Sequence, residues 1–303
     1  MRNEEEISDE ELNAFTDAVK KRYGIDFTNY ETKSLKRGIA RVITKHNMGS
    51  LLGMWGKVLK DKQYFIDCMD DLTVNLTELF RNPEIWIKLR DEILNDFRLK
   101  NKIKIWHAGC STGEEVYTMA VVLNDVQMLQ KADAFASDLS ATALSIAISG
   151  KYPLILKRKY LGSFDKYAPK VTFEDVFDTM EDSLVVNPKF KAHVVYKQHN
   201  LVTDSMTGTF DLIFCRNVMI YFDEALKMKV LKQFYDSLSD DGYFIIGYYD
   251  MLPDKSKTLF EPVDSKTRIY RKKKPVDLPE KESASSRIKR TLKEREGANV
   301  SEG

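Results

Sequence analysis

The residues with chemistry in them fall where apolar runs end. In HAGCSTGEEVY (107–117), Gly109, Cys110 and Ser111 form a turn of small side chains, and the acids Glu114 and Glu115 follow at once. Small residues between a strand and a helix let a ligand approach the backbone, and the unpaired N–H groups of the helix start favour a negative group. About two dozen residues on, AFASDLS ends in Asp138, where doubly wound folds place an acid against a ribose hydroxyl pair. A third cluster, Arg216, Asn217 and Tyr221, follows the apolar run FDLIFC (210–215). Neither GxGxxG nor GxxxxGK followed by Ser or Thr is complete, which argues against a dinucleotide or a triphosphate. The ligand these residues fit is a nucleoside carrying a carboxylate or another compact polar tail. Taken singly, each has a plainer reading: Asp138 as a cap, Asn200 as a turn residue, Tyr221 as core, His107 as structural, Cys110 and Cys215 as packing. Their joint placement on successive strand ends is what points to function.

The elements that must carry these residues alternate as in an α/β fold. A buried strand through Ile103, Ile105 and Trp106 leads to the turn, and a helix is expected from Thr112 to Leu129. Ser140 caps a helix over Ala141–Ser149 that Gly150 ends. Residues 151–197 read as an insertion with a small antiparallel β element, its strands at Ser183–Val186 and His193–Tyr196. His199, Asn200 and Leu201 end a strand, and FDLIFC reads as a central parallel one. Asp223 begins a helix to Leu238, Asp240-Asp241-Gly242 turns, and strands follow at Tyr243–Tyr248 and Thr267–Tyr270. Residues 1–72 read as a separate helical domain. Ser8 and Glu11 make a capping-box pattern ahead of Leu12, Phe15, Val19 and Tyr23. From Tyr30 to His46, Leu35, Ile39, Val42 and Ile43 form an apolar stripe beside Lys33, Lys36, Arg37, Arg41 and Lys45. That basic face is either solvated surface or a docking face for an acidic helix. Asn82-Pro83-Glu84 opens a helix to Phe97. Residues 273–303 are charged and nearly free of apolar side chains, and read as a disordered tail.

Composition narrows the function classes. The 303 residues hold ample core, and 47 basic against 46 acidic residues give no overall charge to drive binding to nucleic acid or to a membrane surface. Cys68, Cys110 and Cys215 are odd in number and lack metal spacing, as expected of reduced thiols. The acidic N-terminus has no signal-peptide pattern, and no apolar run is long enough to span a bilayer. A cytoplasmic monomer is the expectation, with no metal.

NLTELFR (75–81), HAGCSTGEEVY (107–117), FASDLSATALSIAISGKY (135–152), HNL (199–201), FDLIFCRNVMIYFD (210–223) and DDGYFIIG (240–247) together resemble the chemotaxis receptor methyltransferases of the CheR type. The likeness covers about residues 70–270, and FCRNVMIYFD is its most specific part. It implies a Rossmann-like fold that binds S-adenosyl-L-methionine, releases S-adenosyl-L-homocysteine, and methylates glutamates on the cytoplasmic helices of a chemoreceptor. Carried over by position, Asn75, Thr77 and Arg81 face the methionine end of the cofactor, and Glu115 holds it beside Gly109. Asp138 takes the ribose hydroxyls, Asn200 and Leu201 flank the adenine, and Arg216 and Asn217 line the pocket. Arg81 and Tyr221 stand at the transferring methyl, and Lys33, Arg37 and Arg41 meet the receptor.

Two departures from that pattern stand out. Val116 replaces the proline usual after the paired glutamates, and GYYDML (247–252) replaces a strand end that more often reads Gly-His-Ser-Glu. Two rival readings follow: a methyltransferase of the same fold with another acceptor, and a cofactor-sensing module without receptor methylation.

Overall fold

The computed structural model describes residues 7–27, 30–72, 77–264 and 266–274. Four helices come first: α1 (Asp9–Tyr23), α2 (Thr32–Lys45), α3 (Leu51–Lys60) and α4 (Lys62–Leu72). The capping box forms at Ser8 and Glu11, and Gly24 closes α1 in the left-handed region at φ 73°. Leu12, Phe15 and Val19 of α1 and Leu35, Ile39 and Val42 of α2 meet Val58, Phe65 and Cys68 in one core. Helix α2 starts two residues later than the apolar pattern alone predicts. Glu31 caps it by accepting from the backbone N–H groups of Lys33 (3.1 Å) and Ser34 (2.6 Å). Tyr30 is left outside the helix, where it forms an antiparallel bridge with Phe222.

After α5 (Pro83–Asp91) the chain tightens into a 3-10 turn at Ile93–Phe97, where a single helix to Phe97 was expected. Then come β1 (Ile103–Ala108), α6 (Glu114–Asp125), β2 (Ala132–Asp138), α7 (Ala141–Ser149), β3 (Lys151–Pro153), α8 (Lys157–Tyr167), α9 (Phe173–Val176), β4 (Phe177–Thr179), β5 (Ser183–Val186), β6 (Val194–Gln198), β7 (Phe210–Cys215), α10 (Glu224–Ser237), β8 (Leu238–Ile246), β9 (Phe260–Asp264) and β10 (Ile269–Lys272).

Seven strands form one sheet in the order β6-β2-β1-β7-β8-β10-β9. The first five are parallel, β10 pairs antiparallel with β8, and β9 pairs antiparallel with β10. The chain leaves β1 toward β2 and β6, then crosses back to β7 and β8. The point of reversal therefore lies between the C-terminal ends of β1 and β7, where open α/β sheets bind ligands. One sheet face packs Trp86, Tyr117 and Phe214, the other Trp106, Phe234 and Phe244.

Three further details differ from the sequence expectation. Strand β6 pairs in parallel with β2, so it belongs to the main sheet, and the antiparallel element is β3-β5-β4 alone, within 151–186. Alternating hydrophobicity says that a segment is a strand, not which partner it takes. Asp240-Asp241-Gly242 lies inside β8 as an irregularity in its pairing with β7, not between elements. Strand β9 had no distinct signal. Among the described residues no helix is long and apolar enough to cross a membrane.

Candidate functional site

A cavity of about 270 Å3 opens at the reversal point. Its sheet side is built from Gly109–Ser111, Asp138–Leu139, His199–Val202 and Arg216–Val218, and its roof from Phe27, Tyr30, Ser34, Leu35 and Leu72 of the helical segment.

The turn after β1 is tied to β2. The N–H groups of Gly109 and Cys110 both donate to the Ser137 carbonyl, at 2.8 and 2.9 Å. Gly109 has φ +81°, and a Cβ there would run into the Val218 side chain, so no other residue fits without strain. Ser111 donates its N–H to Asp138 Oδ2 (2.7 Å), and Ser140 donates to Oδ1 (2.9 Å). These two bonds fix the Asp138 carboxyl on the cavity wall. Helix α6 starts at Glu114 rather than Thr112 because Thr112 belongs to the turn: its carbonyl accepts from Tyr152 Oη (2.7 Å) and its hydroxyl donates to Glu114 Oε2 (2.6 Å).

The paired glutamates go opposite ways. Glu114 is buried away from the cavity and accepts from Tyr160 Oη (2.8 Å), and burial pushes its carboxyl up. Glu115 lines the cavity, with Oε1 at 2.9 Å from His107 Nδ1 and Oε2 at 3.3 Å from Arg216 Nη1. Burial pushes its carboxyl up too, but the His107 bond and the Arg216 charge outweigh it and hold it below the usual range. Arg216 also donates Nη2 to the Arg81 carbonyl (2.8 Å) and to Asn82 Oδ1 (2.9 Å). That grip explains a strained corner. Phe80 and Asn82 both take left-handed conformations, at φ 49° and 58°, around Arg81. Such residues cost about 1–3 kcal/mol each and persist only where their surroundings over-determine them. Here the Phe80 N–H bonds Thr118 Oγ1 (3.0 Å) and the Arg81 carbonyl accepts from both Trp86 Nε1 (3.0 Å) and Arg216.

The loop after β7 is held from below by Asp250, which is fully buried. Its Oδ2 accepts from the N–H groups of Asn217 (2.6 Å) and Gly247 (2.9 Å). Burial pushes this carboxyl up against the pull of those backbone donors. Asn217 sits at φ 61°, and a Cβ on Gly247 would lie 2.6 Å from its side chain. The altered GYYD segment thus still turns an acid inward, while Tyr249 lines the cavity mouth. Burial raises the Tyr221 hydroxyl, opposed by Arg41 and Arg81, so the phenol keeps its proton at neutral pH. Cys110 and Cys215 are buried thiols pushed up by desolvation, which suits packing and not attack.

Of the residues singled out from sequence, Thr77, Arg81, Gly109, Glu115, Asp138, Asn200, Leu201, Arg216, Asn217 and Tyr221 all line this one cavity. Asn75 lies outside the described residues. Asn200 also makes the turn its type predicts, its Oδ1 accepting from the Val202 N–H at 2.9 Å. Lys33, Arg37 and Arg41 are absent from the lining, though their neighbours Ser34 and Leu35 are in it. Lys33 and Arg37 are exposed. Arg41 has a structural task as well: its Nη2 donates to the carbonyls of Asp71 (3.0 Å) and Leu72 (3.2 Å) at the end of α4.

The family models that match the chain are the CheR methyltransferase SAM binding domain, over residues 75–269, and the CheR methyltransferase all-alpha domain, over residues 10–73. The chain belongs to the CheR methyltransferase family. Among relatives, it is 31% identical to chemotaxis protein methyltransferase 1 of Vibrio cholerae over 255 residues, 81% of this chain and 90% of that one. It is 30% identical to a chemotaxis protein methyltransferase of Listeria innocua, over 77% of this chain and 87% of the other. A Pseudomonas putida protein named provisionally as methyltransferase Cher3 is 30% identical over 88% of this chain and 98% of its own. Among solved structures, the plantazolicin methyltransferase BpumL in complex with SAH aligns over 71% of this chain and 60% of that chain, at 12% identity and a TM-score of 0.33, too distant to carry an argument.

The cofactor of a CheR methyltransferase is S-adenosyl-L-methionine, and the cavity fits it on its own evidence. Among the described residues, the Ser111 hydroxyl and the Asn217 Oδ1 are buried without a hydrogen-bond partner, and both residues line the cavity. Buried polar groups are normally satisfied, so unmade bonds around a void are what a polar ligand completes. The wall is otherwise apolar at Leu201, Val202 and Val218, as a purine requires, with carboxylates at Asp138 and Glu115 for hydroxyl and amino groups. The sequence did not reveal Phe27, Tyr30 and Leu72 as wall residues, because only packing between helical and sheet segments brings them there. Asp250 was hidden in a departure from the family pattern, and its one sequence signal was that an acid remained at the end of the changed segment.

Proposed function

We propose that this CheR-family methyltransferase esterifies glutamate side chains on the cytoplasmic helices of a chemoreceptor, the covalent step of chemotactic adaptation, and does so in the cytoplasm. The observation that carries the reading is that the Vibrio and Listeria relatives, matched over 90% and 87% of their length, are chemotaxis protein methyltransferases.

The chemistry asks little of the side chains. When bound, S-adenosyl-L-methionine supplies an electrophilic sulfonium methyl and departs as S-adenosyl-L-homocysteine. A glutamate, with an ordinary pKa of about 4.3, is already ionised near neutral pH, so its oxygen needs no general base. The protein's work is orientation and exclusion of water. Arg81 and Tyr221, both in the cavity lining, supply one cation and one protonated phenol to aim the acceptor carboxylate. A tight ion pair would quench that nucleophile, so the Arg81 contact must stay loose enough to leave an oxygen lone pair exposed. Asp138 and Glu115 hold the cofactor from the sheet side, while Asn200 and Leu201 flank its base. The exposed Lys33 and Arg37 lie on α2 beside two cavity-lining residues, a placement that suits an acidic receptor helix.

Titration with S-adenosyl-L-homocysteine, followed by transfer of radiolabelled methyl to a receptor cytoplasmic fragment, tests the proposal. The expected result is binding together with base-labile label on glutamate. Binding without label would refute the receptor as acceptor.

A further inference from the structure

Tyr30 belongs to the helical segment, yet its surroundings are those of the cofactor cavity. Its N–H bonds the Phe27 carbonyl (2.9 Å), and the next N–H, of Glu31, bonds the Tyr221 carbonyl (2.9 Å). Its ring meets Phe27 and Phe222 edge-on, with centroids 5.0 and 5.3 Å apart. Backbone and ring are thus pinned to the loop that carries Tyr221, and the side chain lines the same cavity as Asp138. Burial, and next the Asp138 charge, push the Tyr30 hydroxyl upward, so it remains a proton donor at any physiological pH.

The donor–acceptor count at this spot is lopsided. The Asp138 carboxyl acts as an acceptor, taking the N–H groups of Ser111 and Ser140. A ribose diol offers O–H donors to such an acceptor, and its own oxygen lone pairs call for a donor. The Ser111 hydroxyl belongs to the turn bonded to Asp138 and so lies on the same side. On the wall formed by the helical segment, Tyr30 offers such a donor. We propose that Tyr30 is a cofactor-contacting residue whose hydroxyl donates to a ribose hydroxyl of S-adenosyl-L-methionine, facing Asp138, so that the helical domain completes the cofactor site.

Tyr30→Phe keeps the ring contacts and removes only the hydroxyl. Calorimetric titration of the full chain with S-adenosyl-L-homocysteine should show Kd rising by about 5–10-fold, the effect of one net hydrogen bond, while the Tm of the ligand-free protein stays unchanged. Titration with the 2′-deoxy and 3′-deoxy forms of the ligand locates the bond. Against the form that lacks the hydroxyl served by Tyr30, the substitution should cost nothing further. An unchanged Kd for S-adenosyl-L-homocysteine would overturn the proposal, as would an undiminished penalty with both deoxy ligands. A lowered Tm with unchanged Kd would make Tyr30 a packing residue alone.

Discussion

Removing the Glu115 carboxylate should cost the fold far more than losing a surface ion pair, because the charge it faces cannot return to water. The Arg216 side chain is only 3% exposed and Glu115 is 13% exposed. In Glu115→Ala, Arg216 keeps two neutral acceptors, the Arg81 carbonyl and Asn82 Oδ1, and loses its carboxylate. Breaking one partner of a buried pair typically costs about 3–5 kcal/mol. The 3.3 Å contact is long for a charge-assisted bond, which places the expectation toward the lower end. Glu115→Gln should cost less, about 1–3 kcal/mol, since its amide oxygen can still serve Arg216 while its NH2 turns to His107. Urea unfolding measured near neutral pH reads both values. The pH dependence gives a second reading. The folded-state carboxyl is held below its ordinary value of 4.5, so the stability it contributes is complete above that pH and is lost as the pH falls through the lowered value. Between about pH 5 and pH 3 the wild-type chain should therefore lose stability more steeply than Glu115→Gln. If both variants unfold within experimental error of wild type, the network is not a desolvated pair, and its part in fixing the Arg81 corner falls with it.

Asp138→Ala should weaken S-adenosyl-L-homocysteine binding by about 1–3 kcal/mol in calorimetry; wild-type affinity would move the ribose elsewhere. Arg41→Glu should lower Tm because the end of α4 loses its donor, and Arg37→Glu, at an exposed position, should lower Tm less while reducing methylation of a receptor fragment. Equal Tm values would deny Arg41 its structural task. Asp250→Ala strips two buried N–H groups of their acceptor, at about 1–3 kcal/mol each, and should loosen the Asn217 loop enough to raise the Kd for cofactor. The Asp250 carboxyl is raised in the folded state, so its contribution is fullest at acid pH and shrinks as the pH rises above 3.8. The wild-type advantage over Asp250→Asn should therefore narrow between acid and neutral pH, as urea unfolding would show.

Much of the site could be read from the chain, because strand ends, caps and small-residue turns are local features. An apolar run followed by polar residues marks a strand's C-terminal end. In a doubly wound sheet those ends share one edge, so Gly109, Asp138 and Arg216 had to lie near one another once the strands were recognised. The capping box at Ser8 and the Gly24 terminus are likewise local, and both formed as their types require.

Tertiary structure decided the rest. Glu114 and Glu115 are neighbours in sequence, but adjacent helical residues point about 100° apart, so one faces the Tyr160 layer and the other the cavity. Arg41 counted as one more charge on a basic face until α4 ended beside it. Val194–Gln198 has the pattern of a strand in any sheet, and only pairing with β2 assigned it to the main one. Tyr30 reads as the start of a helix, and contact with Phe222 makes it part of the cavity wall instead. The physical reason is the same in each case. Periodicity records which face of an element is buried, whereas the partner on that face is set by residues distant in the chain, through packing and hydrogen bonds that exist only once the chain has folded.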